Sequence, residues 1–210
     1  MKSVCIIDYG MGNIKSLSNA VKKIGHKPYL FSEQNKIKAQ FAIIPGVGAF
    51  NSAIRIIKKK NIDKKIKEFL KNKDNFLLGI CLGKQLLYSV SDENGYNLGL
   101  NLVKGKVNIL SNKSAARLPN VGWQKILFKK NINSKYSFLN IFNKKKFYFI
   151  HSYVGNPDNK KNILATTEYN GENFCSIVSN NSNVIGTQFH PEKSSSVGLN
   201  FLDSMIKKFG

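Results

Sequence analysis

At 210 residues, with 42% apolar and 11% aromatic side chains, the chain is long enough for one well-covered core and too apolar for a disordered segment. Its formal charge of +21 raises nucleic acid as a partner, but the lysines run through nearly every segment among many asparagines, with only a mild cluster between Arg55 and Lys67. No aromatic–basic interleaving of the kind that stacks bases is present, so no nucleic acid is expected, and the excess charge reads as a solvated face or one that meets an acidic partner.

Val4 to Asp8 reads as a strand and Tyr9 to Asn13 as a glycine-rich turn. A helix follows with Ile14, Leu17, Val21 and Ile24 on one face and Gly25 at its end. Gly10 and Gly12 do not make a dinucleotide fingerprint, because the third glycine and the later acidic residue are missing. Lys27 to Phe31 and Phe41 to Ile44 are short strands, the second leading into Pro45-Gly46-Val47-Gly48. Phe50 to Lys59 and Ile62 to Asn72 read as helices, with Ile62, Ile66, Phe69 and Leu70 spaced for a buried face. Phe76 to Ile80 is a buried strand and Leu82 to Val90 a helix.

Strands alternating with helices predict a parallel sheet with helices on both faces. After Val90 the texture changes. Val103 to Leu110, Gly122 to Phe128, Lys146 to Tyr153, Ile163 to Thr167, Phe174 to Val178 and Asn183 to Phe189 read as strands separated by turns. Val197 to Phe209 is an amphipathic closing helix. With no repeat and no linker, the expectation is one α/β domain over residues 1–210: an open, mostly parallel sheet flanked by helices, with additional antiparallel strands in its second half.

Cys5, Cys81 and Cys175 are an odd number without paired spacing, which argues against a disulfide framework or a metal site and fits a reduced, cytoplasmic setting. The first apolar run is too brief for a signal peptide, and no stretch approaches membrane-spanning length, so no membrane partner is expected.

Cys81 stands between Gly79 and Gly83 on a strand-to-helix turn. Such an elbow pushes a nucleophile out of the sheet, small neighbours relieve the crowded backbone, and helix N–H groups directed back at the sulfur favour a thiolate. A lone cysteine is more often buried and inert; the two glycines and the strand–helix context favour the reactive reading. His190 and Glu192 follow the last strand, and catalytic groups in open α/β sheets gather at carboxyl ends of strands. An imidazole there provides a base for Cys81, and a carboxylate two residues on, past Pro191, fixes its tautomer. Alone, His190 would be an ordinary surface or capping residue. Pro45 to Gly48 then supplies a turn whose N–H groups stabilise the oxygen charge that forms on acyl attack, although an ordinary glycine turn fits that stretch equally well by itself.

Gly79 to Gln85 (Gly-Ile-Cys-Leu-Gly-Lys-Gln), Pro45 to Phe50 (Pro-Gly-Val-Gly-Ala-Phe) and Gly186 to Glu192 (Gly-Thr-Gln-Phe-His-Pro-Glu) resemble the three signatures of the triad-type (class I) glutamine amidotransferases. Asp8 to Asn13, Pro119 to Trp123 and Tyr148 to Tyr153 narrow the likeness to the family of glutaminase subunits of imidazole glycerol phosphate synthases, in histidine biosynthesis. The resemblance spans essentially the whole chain. It implies Cys81 as nucleophile, His190 as general base and acid, Glu192 as orienting carboxylate, and the Gly48 and Leu82 N–H groups at the oxyanion. It also implies Gln85, His151, Ser152 and Tyr153 as holders of L-glutamine, with no metal or cofactor. A (β/α)₈ synthase subunit is the implied heterodimeric partner, docked around Asn13, Trp123 and Lys193; the bland alternative for Trp123 is a core residue.

Lys84 departs from the family, where an apolar residue, often methionine, is usual. Asn120 and Gln124 replace a histidine and an asparagine around the Gly-Trp pair, and Ser194 to Ser196 replace a common Ser-Gln pair. The last two places belong, by resemblance, to the surface facing the synthase. The alternative partner is the acceptor enzyme of paralogous subunits that supply ammonia for amidino groups on surface sugars. A related cysteine hydrolase would share the elbow but not the other two signatures, and a non-enzymatic subunit would be expected to have lost Cys81 or His190.

Overall fold

Valine and isoleucine on both faces of a short strand suit the interior of a parallel sheet, where both sides are covered. In the computed structural model, which describes residues 1–31, 36–110 and 118–210, β1 (Ser3–Ile7) behaves in this way. Val4 and Ile6 join one apolar cluster with Leu17 and Val21 of α1 (Ile14–Lys23). Cys5 and Ile7 join a second on the opposite face. That second cluster includes Phe31 of β2 (Lys27–Phe31), Ile44 of β3 (Phe41–Ile44), and side chains of α2 (Phe50–Lys59) and α3 (Ile62–Phe69).

β4 (Phe76–Ile80) leads into α4 (Leu82–Leu86), then β5 (Tyr88–Ser91), β6 (Asn97–Leu98), β7 (Val103–Ile109), β8 (Asn120–Lys125) and β9 (Leu127–Phe128). A 3₁₀ segment, Ser134–Phe142, precedes β10 (Lys146–His151) and β11 (Tyr153–Pro157). β12 (Ile163–Tyr169), β13 (Glu172–Ser179), β14 (Val184–Thr187) and α5 (Ser195–Phe209) complete the chain. The main sheet runs β2-β1-β3-β4-β14-β13-β12-β9. Its first five strands are mutually parallel, and from β14 onward the pairings are antiparallel. The expected α/β class, with a mostly parallel sheet and antiparallel additions, is therefore found. Phe201, Leu202, Met205 and Ile206 of α5 pack beside α1 on one face. Two smaller sheets, β10-β8 and β11-β7-β5-β6, lie outside the main one.

Several element boundaries differ from the sequence reading; the expected strand from Gly122 to Phe128, for one, is two, with β8 paired to β10 and β9 to β12. The helix expected from Leu82 to Val90 ends at Leu86. The Leu87 N–H closes the last turn on the Lys84 carbonyl, and the Leu87 carbonyl accepts from both Leu102 and Val103. Tyr-Ser-Val-Ser then pairs with β7 as β5, so a tertiary pairing decides between two locally tolerable states. The helix expected to reach Asn72 ends at Phe69, because the Asn75 side chain takes the Phe69 carbonyl at 2.8 Å and Asn183 takes that of Leu70 at 3.1 Å. The expected strand from Lys146 to Tyr153 is two. The chain leaves β8 and joins β7 at Ser152, whose carbonyl accepts from Leu110.

Candidate active site

β3, β4 and β14 are adjacent and parallel, with Ile44 opposite Gly79 and Thr187 opposite Ile80. Their carboxyl ends therefore present Pro45–Gly48, Cys81 and the His190 segment side by side. Cys81 has φ 54° and ψ −110°, a conformation that a non-glycine residue adopts only when its surroundings impose it. The Cys81 N–H is held by the Thr187 carbonyl at 2.8 Å and its carbonyl accepts from Gln85 at 3.1 Å, which locks the elbow between β14 and α4. Its sulfur lies 3.7 Å from the Ile150 carbonyl and 3.9 Å from Nε2 of Gln188.

His190 is buried, and its backbone is fixed on both sides. Its N–H donates to the Tyr148 carbonyl at 2.9 Å, and its carbonyl accepts from the Ser194 hydroxyl at 2.6 Å. Nδ1 donates to Oε1 of Glu192 at 2.8 Å, which leaves Nε2 as the working nitrogen. That atom is buried with no hydrogen-bond partner, as is the second carboxylate oxygen of Glu192. Burial works against a charged imidazole here. Cys81, by charge, and Glu192, by hydrogen bonding and charge, outweigh it and raise the His190 pKa to about 10. A base whose protonated form is favoured beside a sulfur suits proton transfer between the two. Catalytic hydrogen bonds of this kind often tighten only with substrate in place.

A cavity of about 420 Å³ opens in front of the sulfur, lined by Val47, Gly48, Leu82, Gln85, Glu93, His151, Ser152, Tyr153 and Lys193 among others. Gly48 has φ +98°, a turn conformation that favours glycine, and the neighbouring Val47 N–H is taken by the Met11 carbonyl at 3.2 Å. Leu82 is the first residue of α4, and a first-turn N–H has no partner within its own helix. Gln85 donates through Nε2 to the Tyr153 carbonyl at 2.8 Å, so its amide nitrogen is committed to the wall of the cavity. Glu93 accepts from the Phe50 N–H at 3.0 Å and caps α2 while facing the cavity.

The Tyr153 carbonyl only accepts, so His151 places its proton on Nδ1, 3.1 Å away, and Nε2 accepts from Nδ2 of Asn120 at 3.2 Å. Burial drives the His151 pKa down to about 3, with the charge on Lys84 adding to it against the pull of the Tyr153 carbonyl. An unfolded histidine protonates near 6.5, so below that pH the unfolded state binds more protons than the folded one. The stability that neutral His151 contributes is complete above pH 6.5 and is lost as pH falls toward about 3. In urea titrations across that window, His151→Asn should flatten the loss by up to about 1.4 kcal/mol per pH unit. An unchanged slope would contradict the neutral, buried assignment.

A cysteine at an elbow, an imidazole oriented by a carboxylate, and a glycine turn facing the same cavity form a constellation for acyl transfer. The family model described as "Glutamine amidotransferase class-I" matches residues 5–207. The chain belongs to the class-I glutamine amidotransferases. It is 38% identical over 205 residues to the imidazole glycerol phosphate synthase subunit HisH of Dehalococcoides mccartyi, covering 97% of this chain and 96% of that one. It is 41% identical over 207 residues to the HisH subunit of Caldanaerobacter subterraneus, covering 98% and 96%. Among solved structures it resembles PurLQS from Thermotoga maritima, with TM-score 0.72, 18% identity and 98% of each chain covered, which bears on the fold alone.

Within this amidotransferase fold, the expected catalytic, oxyanion and substrate-holding residues meet at one cavity, with Glu192 behind His190. Of the interface candidates, Lys193 is the one that lines the cavity. It is exposed, and Asn13 is exposed at the start of α1, accepting from the Ser16 N–H at 3.2 Å. Trp123 is a surface residue rather than a core one. It is 44% exposed, with its ring edge-on to Tyr148 at 6.2 Å. Two departures expected on the partner-facing surface lie inside instead: Asn120 is fully buried against His151, and Ser194 is fully buried against His190. There Nδ2 of Asn120 donates to His151 and the Ser194 hydroxyl donates to the His190 carbonyl. Glu93 and the contacts of Lys84 had no local signal in the sequence, while Gln188 lies within the Gly186 to Glu192 signature, two residues before His190, and was not singled out.

Proposed function

We propose that residues 1–210 form one glutaminase domain that hydrolyses L-glutamine to glutamate and ammonia, as the ammonia-supplying subunit of an imidazole glycerol phosphate synthase in histidine biosynthesis. The observation that carries this reading is the coincidence of the Cys81–His190–Glu192 site with full-length similarity to relatives bearing that name. Cys81 thiolate attacks the side-chain carboxamide carbon, and the oxygen charge is met by the Gly48 and Leu82 N–H groups. The C–N bond then breaks as His190 passes its proton to the departing ammonia, leaving a γ-glutamyl thioester. Water, deprotonated by His190, attacks the thioester and releases glutamate and the thiolate. Glu192 keeps the imidazole in the tautomer that works at Nε2.

Gln85, His151, Ser152 and Tyr153 shape the wall that holds glutamine. Glu93 is the carboxylate lining the cavity among the described residues, and it is placed to receive the substrate's α-ammonium group. Ammonia released into neutral water is protonated and lost as a nucleophile, so docking this cavity against an acceptor site gives it a use. The acceptor is a (β/α)₈ subunit forming a heterodimer with this chain in the cytoplasm. Half-exposed Val47, Trp123 and Ile150, with Lys193, make an apolar and basic rim suited to that contact.

The test mixes the chain with a (β/α)₈ synthase subunit from the same organism and measures glutamate release with and without the barrel's ligand. Turnover should be low alone and rise by about 10²-fold or more in the liganded complex, since closure completes the site. Lys193→Glu should weaken assembly, and added salt should do the same, because a chain of charge +21 meets an acidic face. A chain fully active alone and indifferent to the barrel would be a free-standing glutaminase.

A further inference from the structure

Lys84 is buried to 0% exposure inside the protein, on α4 one turn from Cys81. A lysine is almost never fully buried without a partner that repays its lost hydration. Among the described residues, no carboxylate forms an ion pair with it. Its Nζ instead donates to the Cys175 carbonyl at 2.6 Å and to Oε1 of Gln188 at 3.2 Å, and stands 5.8 Å from the Tyr88 ring centre. Burial pushes the Lys84 pKa down, while Cys175 and Cys81 pull it up. The protonated ammonium has donors and no acceptor, and two of its N–H groups serve these two oxygens.

That geometry settles which way the Gln188 amide faces. The two ends of an amide differ only in which donates and which accepts. An amine whose N–H groups point at the Cys175 carbonyl and at Gln188 requires the amide oxygen on its own side. The amide nitrogen is then turned toward Cys81, where it lies 3.9 Å from the sulfur. Gln188 is itself fully buried, and its backbone N–H is held by the Ser176 carbonyl at 2.8 Å, so its side chain has little freedom to answer otherwise. With an apolar residue at position 84, nothing on that side fixes the amide, and its oxygen is free to turn to the sulfur and oppose a thiolate.

We propose that Lys84 is a positioning residue for the glutaminase reaction. By holding the Gln188 carbonyl oxygen, it presents the Gln188 N–H group to the Cys81 sulfur and favours the thiolate that attacks glutamine. The proposal rests on the assignment of Cys81 as nucleophile. It gives the buried lysine a role in the acylation step without contact to substrate, so its removal should change kcat and leave KM alone.

The experiment compares the wild-type chain with Lys84→Met, Gln188→Met and the double variant. Two readouts are taken: steady-state glutamate release with the barrel subunit present, and alkylation of Cys81 by iodoacetamide on the chain alone, located by peptide mass mapping. Lys84→Met should lower kcat about tenfold, less than the roughly 10²–10³-fold that loss of a direct donor to the oxyanion costs, because Lys84 acts through Gln188, with KM within about twofold. Alkylation should slow in the same proportion. Gln188→Met should reproduce both effects, and the double variant should lose no more than the worse single, because the two side chains act in series. Wild-type kcat and alkylation rate in Lys84→Met would overturn the proposal, as would losses that multiply in the double variant. If Lys84→Met fails to fold, Gln188→Met decides on alkylation alone. A wild-type chain that releases no glutamate would overturn the glutaminase reading, while the alkylation series would still decide the role of Lys84.

Discussion

Cys81→Ala should abolish glutamate release, by at least about 10⁴-fold, with the partner subunit present and with the melting temperature close to that of the wild type. The sulfur is the only atom of the site placed to form a thioester: Cys5 and Cys175 are buried in the body of the sheet and line no part of the cavity. Alanine at position 81 keeps a Cβ at the strained elbow and removes only the sulfur. His190→Ala should lose nearly as much, because nucleophile and base act as a unit. Glu192→Gln should lose less, since Ser194 and Tyr148 still hold the His190 backbone. Retained glutamate release in Cys81→Ala would remove the chemistry from this site altogether.

The second large effect is on stability. At Gly83 an added Cβ would lie 2.8 Å from the Ile44 carbonyl carbon and closer still to its oxygen, with the Pro45 carbonyl carbon at 3.3 Å. These are backbone atoms at the end of β3, so no rotamer change relieves the overlap. Gly83→Ala should therefore force α4 away from β3 and cost roughly 3 kcal/mol, near the upper end for overpacking. In a chain of this size that is a fall of roughly 6–12 °C in Tm. Activity should fall with it, because the same shift separates the Pro45–Gly48 turn from Cys81. Gly95, with φ +100° and nothing within 4 Å of its would-be Cβ, is the comparison: alanine there meets backbone strain alone. A Gly83→Ala chain that melts with the wild type would show that the elbow is less tightly seated than its geometry indicates.

The first half of the fold was readable because its signals are local. Phe41–Ile44 and Phe76–Ile80 are short apolar runs closed by turn residues, and Phe50–Lys59 has one buried face of Phe50, Ile54 and Ile57. The meeting of Cys81, His190 and Glu192 in one place was readable for the same reason, since each lies within a few residues of a strand end. Tyr88–Ser91 was misread because its state is set by pairing with β7, which starts at Val103. The split of the Lys146–Tyr153 run depends on two different partner strands, β8 and β7. Lys84 stood out only as a departure from the apolar residue usual in the family. Its partner Gln188 is 104 residues away, and nothing local distinguishes a lysine that faces inward. Asn120 misled in the same way, since its burial is decided by His151 on the neighbouring strand.

The most direct test of the central claim is to trap the acyl-enzyme. The complex, turning over glutamine in the presence of the barrel's ligand, is quenched in acid, digested and mapped by mass spectrometry. One γ-glutamyl group is expected on the peptide carrying Cys81, absent in Cys81→Ala and from the peptides carrying Cys5 and Cys175. Glutamate released at the full rate with no acyl group on Cys81 under any quench, or an acyl group found on another residue, would contradict that claim.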